Sequence, residues 1–157
     1  VALSFSHDFN GFSLVAGGAA SFADVEESAF SSVVDDDVED YNAYLNFGFG
    51  GWTIGGALEY RDNLNPFTSD SDRLVYGVGL TYGVDAWTIG LNWTHGDYDF
   101  GDSSHEDDYD VIQFQAVYAL GPGITLEGMI GYNDYDSPVG EEDYDAIEIG
   151  TGIGINF

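Results

Sequence analysis

The stretch GDYDFGDSSHEDDYD, residues 96–110, is where residue types and spacing come closest to chemistry. Asp97, Asp99, Asp102, Glu106, Asp107 and Asp108 supply hard oxygen donors, which calcium gathers in sets of about six to eight. The glycine spacing is not that of an EF-hand, and no helical pattern flanks the stretch. A solvated acidic loop is the plainer reading, and calcium held by these six residues is the sharper one. No cofactor is required by either. His105, beside Ser103, Ser104 and Asp102, has the residue types of a hydrolase triad. Neighbours in one loop do not make a nucleophile, base and orienter, so no catalytic residue is assigned.

The chain's two Lys or Arg residues, Arg61 and Arg73, stand at the two ends of one connection and are expected to face inward close to Glu59. On antiparallel neighbours they face the same side, as a small ion cluster on a wall or as a rim salt bridge of little energetic weight. His7 and His95 fall at apolar positions near strand ends, where an interfacial ring is the simpler role.

The balance of charge limits the partners. Two Lys+Arg oppose 29 Asp+Glu, a formal net charge of -27. That excludes nucleic acid and favours cations or surroundings rich in them. There is no cysteine, hence no disulfide, zinc–thiolate site or thiol nucleophile. No apolar run approaches the ~18 residues of a membrane helix, and no leader peptide is legible. A first residue of Val rather than Met reads as a processed chain or a fragment.

The elements that position these residues repeat. FSLVAGG starts at Phe12, WTIGGALEY at Trp52, WTIGLNW at Trp87 and ITLEGMIGY at Ile124, each after a short turn. The turns at 9–12, 47–52, 82–87 and 120–124 carry Gly, Asn, Asp or Pro, as tight hairpins require. Residues between them alternate with period two. Nine strands are predicted at 1–9, 12–22, 41–49, 52–61, 73–82, 87–96, 109–120, 124–133 and 145–157. Four long connections, 23–40, 61–73, 97–110 and 133–145, hold 24 of the 29 acids. In an antiparallel meander every short turn lies at one end and every acidic connection at the other.

The two faces of these strands differ. One carries Leu3, Phe5, Leu45, Ile54, Leu80, Ile89, Ile130 and Ile153 among others and is apolar throughout. Its aromatics gather toward both ends: Phe49, Trp52, Tyr82 and Trp87 at the turns, and Phe22, Tyr60, Tyr76, Trp93 and Tyr132 at the loops. The other face carries Ser, Thr, Asn and Gly with Asp8, Glu59, Arg61, Arg73, Gln113, Gln115, Glu127 and Glu148. Two ring belts flanking an aliphatic zone match the two interfaces of a bilayer, and a small polar face matches a wet lumen. A soluble acidic β-sandwich binding calcium accounts for one apolar face, but not for the two unlike ends. A smaller barrel acting as adhesin or enzyme is the other alternative.

The closing AIEIGTGIGINF resembles the C-terminal strand of bacterial outer-membrane proteins, whose assembly machinery recognises a terminal aromatic. FSHDFNGFSLVAG, GGWTIGGALEY, LTYGVDAWTIGLNWTHGDYD and YDVIQFQAVYALGPGITLEGMIGY resemble successive hairpins of the Gram-negative porin family of alphaproteobacteria. The resemblance implies an all-β antiparallel transmembrane barrel, of which residues 1–157 form a single segment of about nine strands out of roughly sixteen. It implies a homotrimeric diffusion channel for ions and small hydrophilic solutes, with long acidic loops outside the cell and short turns in the periplasm. The loop acids would then meet outer-membrane lipid and lipopolysaccharide through divalent cations. An odd strand count ending at the turn side puts Val1 at the loop side, so the sheet is expected not to close on itself and N-terminal strands are expected elsewhere.

Overall fold

The computed structural model describes residues 1–23, 37–63, 71–100, 106–137 and 143–156. They form one antiparallel sheet of nine strands in chain order: β1 Ala2–Asp8, β2 Ser13–Ala23, β3 Val38–Phe49, β4 Trp52–Asp62, β5 Ser71–Val84, β6 Trp87–Phe100, β7 Glu106–Gly121, β8 Ile124–Asp136 and β9 Tyr144–Ile155. No helix occurs among the described residues. Among these strands β1 pairs only with β2 and β9 only with β8, so the sheet has two open edges. An even number of turns separates β1 from β9, and the two strands therefore run in the same direction.

The turns are built as their residues dictate. Phe49 pairs with Trp52 around Gly50 and Gly51, both with positive φ (56° and 84°), the two-residue hairpin for which glycine is suited. Between β5 and β6 Asp85 takes the left-handed conformation at φ 54°, which aspartate tolerates better than most residues.

Register settles the faces. Leu14, Phe47, Ile54, Leu80 and Leu91 project to one side, and Val15, Asn46, Gly55, Gly79 and Asn92 to the other. No hydrophobic side chain among the described residues is buried; Leu3 is 81% exposed and Ile149 77%. A β-sandwich needs a second sheet over its apolar face, and the described residues supply none. Such a face is stable only against another apolar phase.

The strands differ from expectation at the loop end. β6 runs on to Phe100, β7 begins at Glu106 rather than 109, β3 begins at Val38 rather than 41, and β8 continues to Asp136. Acids assigned to loops, among them Asp97, Asp99, Glu106, Asp107, Asp108, Asp134 and Asp136, therefore sit on strands. Asp97 pairs with Asp108, and Asp108 with Asp136. Backbone ladder bonds form without regard to side-chain polarity, so pairing continues beyond the apolar zone.

Candidate functional site: two walls and an acidic rim

The apolar face is organised into levels. At the turn end, Trp52 packs on Tyr82 with ring centroids 4.3 Å apart, and Trp87 on Tyr118 at 4.7 Å. At the loop end, Phe22 meets Tyr41 at 5.8 Å, and Tyr76 meets Trp93 at 5.7 Å. Trp52 and Tyr60 lie eight positions apart on β4, roughly 26 Å along the strand, close to the ~25 Å height of an outer-membrane apolar band.

One pairing step beyond the loop-end rings, the same face turns acidic. Glu39, Asp62, Asp72, Asp97, Asp110 and Asp134 follow one another across β3 to β8, with Asp99, Glu106, Asp108, Asp136 and Asp145 around them. The rings direct their polar ends into this collar. Tyr41 Oη donates to Glu39 Oε2 at 2.6 Å, Tyr60 Oη to Asp72 Oδ2 at 3.3 Å, and Trp93 Nε1 to Asp110 Oδ1 at 2.6 Å. His95 lies between Asp97 (Nε2, 3.0 Å) and Asp110 (Nδ1, 3.3 Å). At the end of β8 and outside the apolar zone, the Asp136 carboxyl is held above the usual range, first by partial desolvation and then by Asp143, Asp108, Asp134 and Asp110.

The six residues expected to hold calcium do not come together as one shell. Asp97, Asp99, Glu106 and Asp108 face outward, Asp107 faces the opposite side, and Asp102 lies outside the described residues, as do Ser103, Ser104 and His105. Among the described residues no group of three or more His, Asp or Glu side chains is disposed to hold a metal ion.

The polar face forms a hollow of about 550 Å³ bordered by Asn42, Tyr44, Asn46, Glu59, Asn92 and Thr94. Asp8, Glu59, Arg61, Arg73, Gln113, Gln115, Glu127 and Glu148 all project to this side by register. Arg61 and Arg73 are direct cross-strand partners. Each is neutralised separately: Arg61 donates Nε (2.9 Å) and Nη2 (2.6 Å) to Asp40 Oδ2, and Arg73 Nη2 donates to Glu59 Oε1. Asp40 was not foreseen because residue 40 fell in a supposed loop; in β3 it stands opposite Arg61. Sequence reasoning also missed a group of rings on this polar side: Tyr98, Tyr109, Tyr135 and Tyr144.

With this geometry in hand, likeness to known proteins is informative. The family model for Gram-negative porins matches residues 1–138. No curated protein matches the chain by sequence. In fold the chain is similar to "OmpT (in-vitro folded), an outer membrane protein of Vibrio cholerae", with a TM-score of 0.69 over 99% of this chain at 16% sequence identity. It spans about half of that protein, 49% of its length. A nine-stranded meander with ring belts on its apolar side, matched over most of its length by the porin model, leaves one assignment: the chain belongs to the Gram-negative porin family, proteins of the outer membrane.

Proposed function

We propose that this chain forms part of the wall of a water-filled channel that passes ions and small hydrophilic solutes passively, prefers cations and performs no chemistry. One observation carries the reading: a single unclosed sheet exposes its whole apolar side, while the opposite side is polar, hollow and lined by small residues. In lipid the apolar side is satisfied, and the polar side then faces water. Among the described residues six acids on that side, Asp8, Asp40, Glu59, Asp107, Glu127 and Glu148, oppose Arg61 and Arg73, both already paired. The potential along the lumen is therefore negative, and cations are enriched there.

The rest of the proposal follows from the same orientation. The acidic rim faces outside the cell, the short turns face the periplasm, and calcium or another divalent cation bridges the collar to phosphates of outer-membrane lipid and lipopolysaccharide. Trimeric assembly rests on family membership alone and is read by native mass spectrometry in detergent. The channel itself is tested by reversal potentials in planar bilayers under a potassium chloride gradient. Cation preference that weakens as the Debye length falls from about 10 Å at 0.1 M to about 3 Å at 1 M is the expected result. Anion preference at low salt rejects the selectivity, and absence of conductance rejects the channel.

A further inference from the structure

On β1 to β5 the polar face is made mostly of Ser, Gly, Thr, Ala and Asn, as a water-facing wall should be. At the loop end of β6 to β9 it is not. Tyr98 follows Arg73 across the β5–β6 pair; Tyr109 stands opposite Gly96, one step diagonally from Tyr98; Tyr135 pairs with Tyr109 and Tyr144 with Tyr135. Four strands at ~4.8 Å spacing make a strip of rings roughly 15 Å across. The rings of Tyr98 and Tyr109 lie 5.9 Å apart, and those of Tyr135 and Tyr144 are stacked at 5.2 Å.

Packing explains only part of this strip. Tyr109 lies across Gly96, where any side chain would collide with its ring, and so covers bare backbone. Tyr144 covers no such glycine and is 58% exposed. The charge beside the rings is negative: Tyr135 Oη donates to Asp107 Oδ2 at 2.6 Å, and Glu59 lies across the Arg73 end. The wall also displays the contact it favours, because the Arg73 guanidinium carbon sits 5.8 Å from the centre of the Tyr98 ring, within cation–π range. That cation belongs to the chain itself. Tyr109, Tyr135 and Tyr144 continue the strip toward β9, each one strand further from Arg73 than the last.

We propose that Tyr109, Tyr135 and Tyr144, with Asp107, form a binding strip for organic cations such as quaternary ammonium, guanidinium or protonated amines, held by ring faces in a negative field on their way through the lumen. This rests on the channel reading above and adds to it a ligand class and a place. Ring faces attract a cation through their quadrupole, and bulky organic cations lose less hydration than potassium on contact. A neutral sugar can stack on the same rings but gains nothing from the negative field.

Choline and maltose, added separately to the potassium current of the barrel containing this chain, test the strip. Choline is expected to block the wild-type channel at lower concentration than maltose does. In Tyr135→Leu/Tyr144→Leu the choline block constant is expected to rise about two- to fivefold per ring lost. Tyr135→Phe/Tyr144→Phe keeps the ring faces and should keep the block. Should the double leucine variant fail to insert, the exposed single change Tyr144→Leu gives the same reading at about half the effect. Equal choline block in wild type and leucine variants overturns the strip while leaving the channel intact. Maltose block with the same dependence on the rings overturns it in favour of saccharide stacking. No potassium current from the wild type overturns the channel reading and the strip with it.

Discussion

Trp93 and Asp110 face each other across the β6–β7 pair's outer side, one diagonal step apart, with the indole Nε1 donating to Asp110 Oδ1 at 2.6 Å. The bond joins the last apolar ring level to the first acidic level. An indole lying in lipid with its N–H turned to a carboxylate in the head-group zone suits both surroundings at once. Trp93→Phe keeps most of the apolar ring and loses the donor, and should cost about 1 kcal/mol. Trp93→Leu should cost more, since the contacts with Tyr76 also go. Reversible urea unfolding in lipid vesicles measures both, and equal stability of the phenylalanine variant and wild type would show the bond to be idle.

On the proposed channel reading, the two arginines should act on the lumen field more than on stability. Both pairs are partly exposed, with side chains of Arg61 38% and Glu59 38% accessible, so each contributes at most about 1 kcal/mol. Replacing both by glutamine removes every Lys or Arg side chain of the chain and leaves Asp40 and Glu59 without their arginine partners. Cation preference in a 0.1 M potassium chloride gradient should rise while the unfolding midpoint moves little. An unchanged reversal potential would mean that these residues do not face the ion path.

Glycines on the polar side keep the wall thin. At Gly17 an added Cβ would lie 2.6 Å from Tyr44 Cζ, so the Tyr44 ring lies flat over bare backbone. Gly17→Val must lift that ring into the hollow, at a cost of about 1–3 kcal/mol and with a lower single-channel conductance. Removing the ring as well, in Gly17→Val/Tyr44→Ala, should restore conductance. If the double variant conducts no better than Gly17→Val, the loss has another origin.

Strand number, order and faces were legible because three local signals agree: tight turns at Gly50–Gly51 and Asp85–Ala86, period-two alternation such as Ile54, Leu58 and Tyr60, and aromatics near each end. The loop-end limits of the strands were not. Asp97, Asp99, Asp108 and Asp110 have poor strand preference and break the apolar alternation, so a reading based on hydrophobic period stops at the ring belt. The ladder continues because its bonds are made by backbone, and Asp97 pairs with Asp108 as regularly as Leu91 with Phe114. Every missed feature of the site follows from that one error. Asp40, Asp107, Tyr98, Tyr109, Tyr135 and Tyr144 all lay in supposed connections or at their margins, where no face could be assigned. The outward collar was hidden in the same way, since a loop has no outer side.

Repulsion within that collar should make stability depend on pH and on divalent cations. The Asp136 carboxyl is raised above its unfolded value of 3.8, by partial desolvation and by the carboxylates around it. The folded chain therefore holds this proton more tightly than the unfolded chain, and ionisation works against folding. Below pH 3.8 the penalty is absent; it grows as pH rises from there through the raised value. Asp136→Asn removes the ionisable group, so it should melt higher than wild type at pH 7 and together with it below pH 3.8. Calcium should relieve the same repulsion by bridging carboxylates to one another or to lipid phosphate, raising the wild-type melting temperature more than that of Asp136→Asn, with chelator reversing the effect. Circular dichroism melts in anionic-lipid vesicles read all four conditions. Coincident melts at pH 7, unmoved by calcium or chelator, would leave the collar merely solvated and remove the support for cation bridging to the membrane.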